Sequence, residues 1–388
     1  MAVSYHHPPM IRTDASNLFA HHSMQVRVPG IIRDIVASNP DYPASIVDVL
    51  QALAASLEND ELIPMIDLPA PDYDVWTRAY AAYTDATWLD TVWFFAETFC
   101  YRHIIQAVRW WETGRDPFLP QKTAELAGDS LKVLLGRALT IEDRADARLG
   151  QLLHHALWGN RIDLSLTASV ALGGESTRAE DLLVNDTQAV IRHVLDRPGS
   201  VHLVADNAGT ELALDLVLID AVLRSTDDAA MLHLKMHPTF VSDATVSDVL
   251  AFLGRLEAGH YGPDARKLGR RLQNALAVGR LRLAPDGYWN SSRFLWDMPP
   301  RLVNLFQTAT LVIFKGDANY RRLASDATWA PDTPFAEVVR YFPAPLVALR
   351  TLKSDVIAGL PPALVETLDN DHPTWRNDGR YGVIQSRL

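Results

Sequence analysis

Asp206 and Asn207 close the apolar run 201–205, and Asp243 closes the polar stretch that follows a second apolar run, 231–236. Two carboxylates and an amide are hard oxygen donors. They suit Mg²⁺ or Mn²⁺, and with water in the remaining positions also Co²⁺ or Ni²⁺. So small a donor set leaves coordination positions open for water and substrate, which suits catalysis more than structure. A cation held this way polarises a phosphoryl oxygen and neutralises developing charge. Glu211 and Asp215 follow four residues apart, on one face of the next helix. Helix capping explains this turn equally well on its own. Asp, Asn and Thr cap helices, and an acid in the first turn complements the helix dipole.

A phosphate also needs cations, and Arg can bind it bidentately. Lys315, Arg321, Arg350 and Lys353 lie at or near the ends of two later apolar runs, with Asp317 and Asn319 among them. Surface solvation is the alternative for any one of the four cations. Asn160 and Asp163, in the polar insert "LWGNRIDLSL", read either as turn and cap residues or as groups reaching the same edge.

The elements that would position these groups change character along the chain. Up to about residue 165, apolar residues recur at three- and four-residue spacing, as in "TWLDTVWFFAETFCYRHIIQAVRWWETG", with helices expected at 123–138 and 141–157. Beyond it, short apolar runs at 201–205, 231–236, 280–285, 309–315 and 344–355 alternate with helical patterns. That order predicts an α/β fold with a mostly parallel sheet covered on both faces, after a helical domain over 1–165 and within a second domain over 166–388. In open sheets of this type ligands bind at the carboxyl ends of the strands, where four of these runs would deliver polar groups.

The 388 residues carry a net charge of −11 and no basic stripe, which argues against nucleic acid as a partner. The single cysteine, Cys100, lies in an apolar aromatic segment and reads as an inert core thiol. No signal peptide or membrane-spanning run is evident, so a cytoplasmic protein without a membrane partner is expected. No GxGxxG after a strand, P-loop or GxSxG is found, so neither a dinucleotide nor a serine-hydrolase mechanism is supported.

The segments "LWGNRIDLSL", "ADNAGTEL", "LKMHPTFVSDAT", "WNSSRFLWDMP", "KGDANYR" and "RTLK" resemble, in this order, the metal-dependent damage-control phosphatases. Arg350-Thr351-Leu352-Lys353 matches the Arg-Thr-x-Lys motif of subfamily three, the sugar-phosphate phosphatase or acidic-residue methyltransferase-like branch. The resemblance implies an N-terminal helical domain on a Rossmann-like three-layer α/β/α sandwich. It implies metal binding at Asp206, Asn207 and Asp243, and substrate binding at Glu211, the segment from Asp317 through Asn319 to Arg321, and Lys353. Lys315 and Asn160 join the substrate-binding set, and Asp206, Asn207, Asp243 and Glu211 the catalytic set. The implied activity is hydrolysis of a small phosphomonoester such as fructose 1-phosphate or fructose 6-phosphate with Mn²⁺, Co²⁺, Ni²⁺ or Mg²⁺. The alternative from the same branch is S-adenosylmethionine-dependent methylation of protein glutamates, for which no glycine-rich adenosine loop is visible.

Overall fold

The computed structural model describes residues 5–141, 144–169 and 179–388, with the side chains of 160–169 and 179 outside that description. Its described strands are β1 (Leu182–Asn185), β2 (Val201–Val204), β3 (Ala230–Lys235), β4 (Leu281–Asp286), β5 (Leu311–Lys315), β6 (Leu346–Thr351) and β7 (Gly382–Arg387). They form one sheet in the order β1-β7-β6-β5-β2-β3-β4. The five strands from β6 to β4 run parallel. β7 is antiparallel to β6 and parallel to β1, so two reversed strands close one edge. These five parallel strands are the ones expected from the sequence. The two reversed strands were not, because the four residues of β1, three half-buried and one exposed, and the polar end of "GVIQSR" in β7 carry no clear period.

Parallel strands flanked by crossover helices are buried on both faces, and β2, β5 and β6 are buried at every position. Alternate side chains therefore enter two cores. Leu203, Leu232, Ile313 and Val347 join a cluster with residues of helices Leu119–Ala127, Asp129–Leu139, Ala145–Ser169, Gly209–Ser225, Val246–Ala258 and Pro263–Ala277. Val204, Val312, Phe314 and Ala348 join the opposite cluster, with the earlier N-terminal helices and with Pro300–Phe306 and Gly316–Leu323. The result is a helix–sheet–helix sandwich. Among the described residues no helix is long and apolar enough to cross a membrane.

Two helix boundaries differ from expectation. Gly128, in an extended conformation, divides the 123–138 stretch into Leu119–Ala127 and Asp129–Leu139. The helix expected at 141–157 instead runs Ala145–Ser169, so the backbone of the "LWGNRIDLSL" insert continues as helix rather than turning. It packs along Gly209–Ser225, which is buried from Gly209 through Leu223. Gly159 makes that approach close: a β-carbon there would lie 2.9 Å from Leu214 Cδ1.

β2 has β3 on one side and β5 on the other. The chain winds outward from β2 to β4, then returns to β5 and winds the other way. The carboxyl ends of β2 and β5 therefore flank a topological switch point, where such sheets open a crevice.

Candidate active site

Asp206 and Asn207 leave the end of β2, and Asp243 lies in the loop after β3. The two segments pair with each other. Ala244 N donates to Asp206 O at 2.8 Å, Ala208 N donates to Ser242 O at 2.6 Å, and Asn207 and Asp243 form an antiparallel bridge. Side-chain bonds then orient the amide. Asn207 Nδ2 donates to Asp206 Oδ2 and to Glu211 Oε2, both at 3.0 Å, and Ser242 Oγ donates to Asn207 Oδ1 at 2.6 Å. Two acceptor-only carboxylates require the NH₂ on their side, so the oxygen, with a further lone pair, faces Ser242.

Asp206 is 8% exposed and has no cation within ion-pair distance among the described residues. Burial, then repulsion from Glu211 and Asp243, pushes its carboxyl well above the usual carboxylate range. Burial raises Asp243 as well, although Lys235 Nζ lies 3.0 Å from its Oδ2. Buried charge without full compensation is costly, and a divalent cation would relieve it. The chemistry of this set fits an oxygen-liganded cation: two carboxylates line the same cleft as an amide whose oxygen keeps a lone pair beyond its bond from Ser242. No cluster of three or more His, Cys, Asp or Glu that could hold a metal occurs among the described residues.

Several residues expected to touch substrate are placed otherwise. Lys315 is fully buried. Its Nζ donates to Ala156 O at 2.7 Å and to Glu211 Oε1 at 2.8 Å, and lies 2.8 Å from Asp215 Oδ1. A buried ammonium has to be paired, and Lys315 is paired away from the cleft. Glu211 thus has one oxygen on Lys315 and the other on Asn207. It positions the amide rather than facing solvent. Burial, opposed by Lys315 and reinforced by Glu211, pushes Asp215 up to about 7. Asn319 Nδ2 donates to Ala205 O at 3.1 Å and Lys315 O at 2.8 Å, locking its helix to the end of β2. Arg350, 1% exposed, donates to Asp317, Ser354 and Val356. The side chain of Asn160 lies outside the described residues.

The remaining groups meet in a cleft of about 490 Å³ that Asp206, Asn207, Asp243, Asp317, Arg321 and Lys353 all line. Asp317 Oδ1 accepts from Arg350 Nε at 2.7 Å and Ser354 Oγ at 3.1 Å. Burial would raise this carboxyl, but Arg350 and Arg321 outweigh it and hold it below the ordinary value. Lys353 is exposed, and its ammonium has no hydrogen-bond partner among the described residues. Arg321 stacks 3.6 Å over the Trp93 ring. Its Nε and Nη2 donate to Asp326 at 2.7 and 3.0 Å, and its Nη1 to Glu97 Oε2 at 2.7 Å.

The wall facing the sheet edge was not anticipated. Phe19, Arg27, Trp93 and Glu97 come from the N-terminal helices. A lone acid inside the otherwise apolar, wholly buried run "WFFAE" was the one available signal, because a buried carboxylate demands a partner. Behind the cleft, the Leu119–Ala127 helix braces the turns that carry Asp206, Asn207 and Asp243. Lys122 Nζ donates to Asp243 O at 3.1 Å, to Asp248 Oδ2 at 3.0 Å and to Asp116 Oδ2 at 2.9 Å. One turn on, Glu125 Oε1 accepts from Thr210 N at 2.7 Å. Gly209, at φ +66°, leaves room for that carboxylate, since a β-carbon would fall 2.2 Å from Glu125 Cδ.

Comparison with known proteins identifies the family. Residues 23–368 match the damage-control phosphatase ARMT1-like domain. The chain is 30% identical over 385 residues to damage-control phosphatase ARMT1 of Rattus norvegicus, covering 87% of this chain and 86% of that protein. The Homo sapiens protein of the same name is 30% identical over 387 residues, with the same coverage. In fold, the chain is similar to a DUF89 family protein from Pyrococcus horikoshii, with a TM-score of 0.51 at 14% identity over 95% of this chain and 98% of the other. The chain belongs to the ARMT1-like damage-control phosphatases, a family of metal-dependent phosphatases.

Proposed function

We propose that the protein hydrolyses a small phosphomonoester, a sugar phosphate such as fructose 1-phosphate or fructose 6-phosphate, with a divalent cation (Mn²⁺, Co²⁺, Ni²⁺ or Mg²⁺) held by Asp206, Asn207 and Asp243. The observation that carries this reading is the meeting, in one cleft at the switch point, of Asp206, Asn207 and Asp243, of which Asp206 has no ion pair among the described residues, with the ammonium of Lys353, which has no partner there either. When bound, the cation would supply Lewis-acid stabilisation of a phosphoryl oxygen.

The chain's own residues supply the rest. Lys353 offers a cation to the phosphoryl group from the end of β6. Asp206, the carboxylate with least protein compensation, is the group suited to orient an attacking water. Glu211 and Ser242 fix the Asn207 amide, which would offer its oxygen to the cation, and Lys235 and Lys122 fix Asp243. Asp317 orders the backbone of Lys353, whose N donates to its Oδ1 at 3.2 Å. Hydrolysis then forms a bond from water oxygen to phosphorus, breaks the phosphorus–oxygen ester bond, and releases the alcohol with a proton from the attacking water. The relatives' names support the phosphatase reading over glutamate methylation.

A panel of sugar phosphates assayed with each cation tests this. Phosphate release that needs the cation and disappears in Asp206→Ala is expected. Methyl transfer from S-adenosylmethionine persisting in chelator, with no phosphate released from any substrate, would overturn the assignment.

A further inference from the structure

We propose that Arg27, in the N-terminal helical region, is a substrate-anion ligand of this site and acts opposite Lys353. The inference rests on the phosphomonoester reading and adds a second cation that the sequence motifs do not contain.

The cations of the cleft differ in the donors they have to offer. Arg27, Arg321 and Lys353 line it. All three guanidinium nitrogens of Arg321 already donate to carboxylates, two to Asp326 and one to Glu97. Moving Arg321 onto a phosphate would strip the buried Asp326 of its partner and the buried Glu97 of one of its two, which is strongly unfavourable. Arg27 is differently placed. Its Nε donates to Ser23 Oγ at 3.0 Å and its Nη2 to Glu97 Oε1 at 2.8 Å, while Nη1 has no partner among the described residues. The side chain is 51% exposed, whereas that of Glu97 is 2% exposed. One edge of the guanidinium is therefore anchored and the other is open to the cleft.

The anchoring is itself informative. Glu97 has one oxygen on Arg27 and the other on Arg321, so the charges alternate as Arg27, Glu97, Arg321, Asp326. Arg321 and Asp326 are fully enclosed and hold Glu97 still; Glu97 in turn orients Arg27. Arg27 also ends a five-residue π-helix, Ser23–Arg27, a local departure from α geometry that is frequent at functional sites. A guanidinium fixed on one side and free on the other matches the fork geometry by which Arg takes two phosphate oxygens. Lys353 approaches from the carboxyl end of β6, so the anion would be held between the two layers of the fold.

The test uses the full chain loaded with Mn²⁺. Inorganic phosphate serves as the probe for direct binding, and a hydrolysed sugar phosphate for kinetics. Arg27→Met should weaken phosphate binding roughly ten-fold or more, the usual scale for a lost charge-assisted hydrogen bond. KM should rise by a similar factor, with a smaller change in kcat. Arg27→Lys, which keeps the charge and loses the fork, should recover part of the loss. The Mn²⁺ dissociation constant should stay at the wild-type value in both. Unchanged phosphate binding and KM in Arg27→Met overturn the inference, and so does a parallel loss of Mn²⁺ affinity, which would mark a structural role. If the wild type binds phosphate through Arg27 yet hydrolyses no phosphomonoester, the anion site stands and the phosphatase reading falls. If it hydrolyses normally without Arg27, only this inference falls.

Discussion

The backbone of Gly316, at the end of β5, lies directly against the carboxylate of Asp206, at the end of β2. A β-carbon on Gly316 would fall 1.9 Å from Asp206 Oδ2 and 2.2 Å from its Cγ, and φ there is +81°. The two strands flanking the switch point thus touch through a position that tolerates only hydrogen. Gly316→Ala should move the Asp206 carboxylate and strain the backbone by about 1 kcal/mol or more. The expected outcome is a large loss of cation affinity with a modest fall in melting temperature, read by calorimetric titration and thermal denaturation. Wild-type affinity in the variant would show that the carboxylate has another place to go.

Asp206 should also destabilise the metal-free protein at neutral pH. Its folded carboxyl sits above the ordinary value of 3.8, first through burial and then through Glu211 and Asp243. A raised folded pKa favours the fold below the unfolded value, and the benefit is lost as pH rises through the folded one. In chelator, Asp206→Asn should therefore melt above the wild type at pH about 7.5, with the gap closing toward pH about 4. Added cation should stabilise the wild type and leave the variant unmoved. A variant that melts below the wild type throughout would contradict the charge argument.

Lys122 and Glu125 brace the same turns by different means. Lys122→Met would leave the half-buried Asp116 and the buried Asp248 without their cation, a loss of about 3–5 kcal/mol. Glu125→Gln keeps an acceptor for Thr210 N, whereas Glu125→Ala removes it, so the second should cost about 1–3 kcal/mol more than the first. Urea denaturation of the three variants checks the order, and equal losses for both Glu125 variants would mean that the Thr210 bond contributes nothing.

A pair of histidines should make the sheet acid-sensitive. His202 Nδ1 and His233 Nε2 are 3.1 Å apart inside the fold. Burial pushes His202 down to about 4, and burial with the neighbouring His202 ring pushes His233 down to about 3, from 6.5. The unfolded chain binds these protons first, so their contribution is full above pH about 6.5 and is lost as pH falls through the folded values. Wild-type stability should drop more between pH about 6.5 and 4 than that of His202→Gln, by on the order of a few kcal/mol. Parallel curves would remove these rings as the cause.

The sheet's parallel centre was legible because buried parallel strands are short apolar runs bounded by turns, and five such runs stand out. The oxygen donors after β2 and β3 could be named from residue type and strand-end position alone. By the same logic Lys315, Asn319 and Arg350 looked like substrate cations and donors. Nothing in one dimension says whether a cation at a strand end faces the crevice or turns inward to a buried acid. Lys315 turns inward because Glu211 and Asp215 on the neighbouring helix need it. Arg27 and Glu97 meet the cleft only because the N-terminal helices fold over the sheet edge, more than 100 residues away in sequence from Asp206. Residue types and their places along the chain name the chemical groups the crevice can draw on. Which of them stay free is settled only on folding, because pairing of buried charge depends on neighbours that the chain then brings together.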